Sequence, residues 1–469
     1  MDFRCFFTGP TPMVEASSGD TCRNRPYRRA IITRRVGHNA PAREQRGEGE
    51  APVSEVSTPG QTGGGGPTVA ELAAVLDRIA PPALAEPWDN VGVLVGDPES
   101  RPRWVAVTLD PAFALIPAVG RALGRAADPS TTGLVPNPGG GPLPEGHGLL
   151  VAHHPVPWRP LSRVLATDPA GQVVSECLRR GISLYAAHTS FDSAPGGLSH
   201  VLASLVGMAS EGRMPIVPRG RHLKLVVFVP PDQSAAVRQA LAGAGAGWIG
   251  NYSDTAFASP GRGYFLPREG ADPFTGSPGV LEETAEERVE TIVPAHLLDE
   301  AVRRMLEVHP YDEVAYDVYP LESHPSVTRP ELLAGIGRIG DLPGDGLPLD
   351  EFTRHVERAL GLAPGEARLL GGPATRTGLV GRVAVCPGAG GAHVRAVAAA
   401  GAHVYVTGDV GYHDAVGAAG LRLAVIDAGH LATERPFVGV MATLLRKEFR
   451  AQGIPLDIIE VPTPPAGLR

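Results

Sequence analysis

The sequence predicts an α/β protein of two layered halves that share one core, with a small α+β domain inserted between them. Three observations carry this expectation. Short β-branched runs alternate with helical stretches from Thr68 onward. The same alternation returns near the C-terminus, and the stretch between the two follows a β-α-β-β-α-β order instead. The expected boundaries are a disordered tail at 1–67, a first half at 68–220, the insertion at 221–322 and a second half at 323–469.

Taken in order, residues 1–67 carry nine Arg and seven acidic residues without apolar periodicity and end in Thr62-Gly63-Gly64-Gly65-Gly66-Pro67. Such a segment cannot bury enough surface to order itself. Thr68-Val69-Ala70-Glu71 is a capping box, and Val69, Leu72, Leu76 and Ile79 follow at helical spacing until Pro81-Pro82. Trp104–Leu109, Leu149–Ala152 and Ser183–Ala187 read as strands, and Ala112–Leu123 and Val173–Arg180 as helices. Asp128–Gly148, rich in Pro and Gly, reads as a surface loop.

Within the insertion, Leu223–Val229, the segments around Phe257 and Tyr264, Glu290–Val293 and Glu313–Val318 read as strands. Ser234–Gly243 and Ala295–Val308 read as helices, and the whole order predicts a ferredoxin-like unit. In the second half, strands are expected at Leu379–Val385, His403–Thr407, Leu423–Ile426 and Leu456–Val461.

Composition narrows the function. The 469 residues carry a net charge of −8, against the surplus of cations that a general nucleic-acid binder needs. Arg outnumbers Lys by 40 to 2, the mark of a GC-rich coding sequence and so of a high-GC bacterium. Cys5, Cys22, Cys177 and Cys386 form no C-x-x-C pair, which suggests neither a disulfide framework nor a thiolate zinc site and fits a reducing cytoplasm. No apolar run approaches the ~18 residues that a membrane-spanning helix needs.

Three strand ends carry the chemistry. His153-His154-Pro155 follows the apolar run Leu149–Ala152, at the carboxyl end of a strand, where open α/β sheets bind ligands. Neighbouring side chains on an extended backbone point apart, so both imidazoles reach one metal only if the chain bends, whereas two metals could take one each. Asp192 follows the strand Ser183–Ala187 as an oxygen ligand, with His188 as a supporting group. His430 and Glu434 follow the strand Leu423–Ile426, and their four-residue step puts both on one face of any helix that starts there. Imidazole and carboxylate without thiolate suit Zn, Fe or Mn, and five ligands favour two ions, which a carboxylate such as Glu434 can bridge.

Weaker signals surround these. Trp88-Asp89-Asn90 reads first as a turn with an Asx hydrogen bond and second as an active-site wall. Gly408–His413 ends another strand and offers His413 as an acid–base candidate. Cys386–Gly391 reads as a tight turn, since it lacks the lysine and hydroxyl of a P-loop.

Together these motifs resemble the GTP cyclohydrolase 1 type 2 homologues. The resemblance runs from about Thr68 to Val461, on PWDNVGVLVGDP (Pro87–Pro98), AHHP (Ala152–Pro155), AHTSFD (Ala187–Asp192), GDVGYHDA (Gly408–Ala415) and DAGHLATE (Asp427–Glu434). It implies a hexameric toroid with two divalent ions per chain, His154 and Asp192 on one, His153 and His430 on the other, and Glu434 bridging. IGNYSDTAF (Ile249–Phe257) and HPYDEVAYDVYPL (His309–Leu321) further resemble the CutA/PII-like domain of that family's longer members. Val156-Pro157-Trp158 and Leu431 depart from the family pattern without removing a ligand. The expected activity is metal-assisted hydrolysis of a nucleotide or related small molecule. The alternative is a non-enzymatic metal-binding or regulatory hexamer.

Overall fold

The computed structural model describes residues 29–33, 66–116, 143–144, 146–250, 252–321, 333–371 and 378–461, and these form an α/β fold. Helix Val69–Ile79 starts at the predicted capping box: Thr68 N donates to Glu71 Oε2 (2.7 Å) and Glu71 N to Thr68 Oγ1 (3.2 Å). Its buried face of Val69, Leu72, Val75 and Leu76 packs on the first of two mixed sheets.

That first sheet has the order Ile458–Glu460, Trp104–Thr108, Gly148–Ala152, Ile182–Ala186, Gly92–Val95, the first four parallel and the last antiparallel. Its three central strands are buried along their whole length, as parallel strands covered on both faces must be. Val105, Val107, Leu149, Val151 and Tyr185 pack with helices Val69–Ile79 and Phe437–Gln452. The alternate residues Trp104, Ala106, Leu150 and Leu184 pack with helix Pro169–Arg180 on the other face.

The second sheet runs Arg338–Asp341, Arg382–Ala389, Val404–Gly408, Ala424–Asp427, Arg368–Leu370, with three parallel strands between antiparallel edges. The halves are not continuous in sequence. The C-terminal strand, expected in the second half, is Ile458–Glu460 of the first sheet, beside Val105–Val107. Phe437, Met441, Leu445 and Phe449 form the apolar stripe of helix Phe437–Gln452, and burying that stripe on the first sheet carries the following strand to its edge.

Residues 222–320 build a third sheet. Its order is Arg29–Thr33, Glu313–Pro320, His222–Val229, Glu282–Pro294, Ala256–Phe265, all antiparallel, so the four strands from 222–320 lie fourth, first, third, second. Helices Ser234–Gly243 and Leu298–Val308 cover one face through Val237, Leu241, Ala301, Val302 and Met305. The segments around Phe257 and Tyr264 form one strand of ten residues. Pro260 is tolerated inside it because the strand lies at a sheet edge, where a missing N–H leaves no bond unmade.

Three other expectations change. Arg29–Thr33, within the segment expected to be disordered, is a strand, because Glu313–Asp317 offers its backbone an antiparallel ladder; the rest of 1–65 lies outside the described residues. The helix expected at Ala112–Leu123 is Pro111–Leu115, and residues 117–123 lie outside the described residues. Most of the expected loop Asp128–Gly148 lies outside them too, and Gly148 opens a strand.

Candidate metal centre

The carboxyl ends of the two mixed sheets converge. His153 and His154 extend the strand Gly148–Ala152, their N–H groups donating to Thr108 (3.2 Å) and Leu109 (2.9 Å) oxygens. The chain then turns into Pro155, and the rings lie 5.3 Å apart at 45° and face one carboxylate rather than opposite sides. His153 is fully buried; its Nδ1 donates to the Ala187 carbonyl (3.1 Å), which leaves Nε2 as a free lone pair. His154 sits with Nδ1 3.5 Å from Asp110 Oδ2 and Nε2 3.0 Å from Glu434 Oε2.

Asp192 lies on the single turn Thr189–Ser193 that follows the strand Ile182–Ala186, and its Oδ1 is 3.8 Å from His153 Nε2. His188 starts that turn. Its Nδ1 donates to Asp89 Oδ1 (2.9 Å), while Asp89 Oδ2 accepts from Thr189 N (3.0 Å) and Thr189 Oγ1. One nitrogen each from His153, His154 and His188 lie within 4.8 Å of one another.

From the second sheet, the strand Ala424–Asp427 leads through Gly429 into helix His430–Glu434. The four-residue step aligns the pair as expected: His430 Nε2 is 3.0 Å from Glu434 Oε2. Asp409 Oδ2 accepts from His430 Nδ1 (2.8 Å), and Asp409 holds a left-handed backbone, φ 52°. Gly388, φ 63°, packs so closely on Glu434 that an added Cβ would overlap Oε1, and its N–H donates to Thr433 Oγ1 (3.0 Å).

Glu434 is therefore the hub. Its Oε1 faces His153 Nε2 at 3.5 Å, beside Asp192, while Oε2 is shared by His154 and His430. By nearest atoms His153 goes with Asp192 and His154 with His430, whereas the resemblance implies the crossed pairs. The bond from His153 Nδ1 to Ala187 fixes the ring that way round.

The charge balance suits a cation. Burial, with the charges of Glu434 and Asp89, pushes Asp192 well above the ordinary carboxylate range. Burial also opposes the ionised form of Glu434, but the imidazoles of His154 and His430, each with a nitrogen 3.0 Å from Oε2, help hold that carboxyl well below the range. His153 is driven by burial down to about 4 and is neutral, the form that ligates metals. His154 is opposed by burial, yet Asp110 and Glu434 raise it to about 10. Two buried atoms that face each other, His153 Nε2 and Asp192 Oδ1, lack a hydrogen-bond partner among the described residues. Orphaned buried donors and acceptors are costly unless a ligand satisfies them. The five predicted ligand residues are thus gathered in one place, and their donor set fits divalent ions.

His413 is not part of the gathering. It is exposed on helix Tyr412–Gly420 with its ring against Tyr412, 5.4 Å away, and no bond joins it to Glu434 or its neighbours among the described residues. Asp110 and Gly388 are residues whose part here sequence reasoning missed, whereas Asp89 and Asp409 lie in segments it singled out, Trp88–Asn90 and Gly408–His413. Asp110 and Asp409 carried a usable signal, being acidic residues just past the strand ends Thr108 and Gly408. Asp89 was read as a turn residue or an active-site wall, and its bond to His188 stayed hidden because that partner is almost a hundred positions away.

Comparisons with known proteins bear on the same stretch. A family model described as Duf34/NIF3 (NGG1p interacting factor 3) matches residues 67–121 and 143–465. The chain is 37% identical over 402 residues to a GTP cyclohydrolase 1 type 2 homolog of Mycobacterium tuberculosis, covering 85% of this chain and 97% of the relative. The homolog of the same name from Bacillus subtilis is 33% identical over 374 residues, 80% of this chain and 91% of the relative. Among solved structures, a Bacillus cereus protein related to NIF3 superposes with a TM-score of 0.63 at 32% identity, covering 84% of this chain and 96% of that one.

Proposed function

Since the chain belongs to the Duf34/NIF3 family, we propose that it is a dinuclear divalent-metal protein that works as a metal-dependent hydrolase on a nucleotide or related small molecule. One observation carries the reading: the buried Glu434 carboxylate offers one oxygen toward His153 and Asp192 and the other toward His154 and His430. In this reading His153 and Asp192 hold one ion, His154 and His430 the second, and Glu434 both. Zn, Fe and Mn suit the donors.

Two such ions, when bound, supply an activated water and polarise a substrate oxygen. The chain itself orients the donors. Asp110 and Asp409 hold the far nitrogens of His154 and His430, and the Ala187 carbonyl holds that of His153. The name carried by the relatives supports a nucleotide substrate. A homo-hexamer, a cytoplasmic setting and a ferredoxin-like (CutA/PII-like) identity for residues 221–322 belong to the same proposal, the last supported by the fourth-first-third-second strand order.

Elemental analysis of the purified chain tests the centre, beside an Asp192→Ala, Glu434→Ala double variant. The expected result is roughly two divalent ions per chain, as a two-ion site requires, lost in the variant. GTP turnover by the loaded protein then separates a hydrolase from a metal-binding regulator. Metal-free protein that cannot be reloaded overturns both. His413→Ala separately tests an acid–base role: metal content should hold while turnover falls only if that role is real.

A further inference from the structure

We propose that Trp88 and Trp158 form a stacking platform for a planar heteroaromatic ring of the substrate at the mouth of the metal centre. The inference deepens the hydrolase reading and rests on it for the reaction, although the ring binding can be measured without turnover.

Two of the four tryptophans are spent on the surface here: Trp88 is 56% exposed and Trp158 44%. Their rings stack at 5.4 Å with planes 26° apart, although the residues come from separate loops. Those loops are fastened together, Asn90 Nδ2 donating to the Pro157 carbonyl at 2.7 Å. Underneath, the buried Asp89 carboxylate grips His188 and Thr189. The platform is therefore braced by the residues beside it, and both indoles keep exposed surface.

Its position gives it a direction. His188 stands edge-on to both indoles, 5.1 Å from Trp158 and 6.1 Å from Trp88. The same imidazole lies 5.1 Å from His153 and 5.9 Å from His154. A continuous run of ring contacts, stacked between the indoles and edge-on at His188, thus leads from the surface to the donors around Glu434. A ring laid on the indoles would place its attached groups beside those donors. Stacking of a base on an aromatic side chain is worth about 1–3 kcal/mol by alanine substitution and accepts any base with a π-face. That chemistry selects a flat heterocycle and gives nothing to an aliphatic phosphoester. Trp158 falls at the point where the sequence departs from the family pattern, whereas Trp88 lies in the motif Pro87–Pro98, so the pairing of the two indoles depends on a residue of this chain's own.

The test is equilibrium binding to the full-length metal-loaded protein, with guanosine as the ring-bearing probe and ribose 5-phosphate as its ring-free counterpart. Guanosine should bind at least tenfold more tightly. Trp88→Ala and Trp158→Ala should each weaken guanosine roughly tenfold, by the stacking scale above, and Trp158→Phe should recover most of the loss. Metal content should be unchanged in all three variants, so failure of the metal reading and failure of the platform show up in different measurements. Equal affinity for the two probes, no detectable guanosine binding, or guanosine binding indifferent to both alanine variants overturns the proposal. So does a change of assembly size in Trp158→Ala with guanosine binding untouched, which would assign the indoles to a second copy of the chain.

Discussion

At Gly388 a backbone φ of 63° and contact with Glu434 coincide, so this position tolerates neither a side chain nor a rotated backbone. Gly388→Ala should push the carboxylate away and cost about 1–3 kcal/mol of backbone strain, read as lost metal in elemental analysis and a lowered Tm. Asp89→Ala leaves His188 Nδ1 and the Thr189 N–H without an acceptor. It should destabilise the fold by about 1–3 kcal/mol, read in urea unfolding. Burial pushes the thiols of Cys177 and Cys386 up to about 12, so at pH 8 neither should be alkylated by iodoacetamide in the native protein, and both should be after denaturation; peptide mass spectrometry reads the difference. Glu434 and the four residues around it were legible because ligand chemistry recurred at three strand ends. Asp89 was not, since a turn residue declares its role only through a partner that folding brings to it. The pairing of donors was equally hidden, because it depends on which ring nitrogen Ala187 engages.

Elements were readable where local chemistry defines them. The capping box at Thr68 is one case, and Thr68→Ala should cost about 1 kcal/mol, seen as a shift in the urea midpoint without a change in slope. The four-residue step from His430 to Glu434 is another, since a single helical turn suffices to align the pair. Boundaries failed where tertiary context overrode local signals. The segments around Phe257 and Tyr264 read as separate strands, yet the edge position of Ala256–Phe265 absorbs Pro260 and Gly261 between them. Arg29–Thr33 lies in a segment expected to be disordered for want of apolar periodicity, yet Glu313–Asp317 offers it a ladder. Sequence periodicity describes how a strand faces its sheet and is silent about which strand lies beside it.

For the molecule as a whole, the candidate centre bridges separately built layers, His153, His154 and Asp192 from one sheet and His430 and Glu434 from the other. Ions bound there act on the folded state alone, so chelation should lower the Tm and readdition of metal should restore it in calorimetric scans. No described helix is long and apolar enough to cross a membrane. The α/β class was legible, but the return of Ile458–Glu460 to the edge beside Trp104–Thr108 was not, since nothing in either segment names its neighbour. That return has a temporal side. A ribosome adding ~5–20 residues per second delivers Val105 tens of seconds before Ile458, so the first sheet waits for its last strand with one edge open. During synthesis the nascent chain must therefore rely on something other than its own completed architecture to keep that edge from pairing wrongly, and the metal donors can come together only after translation has almost finished.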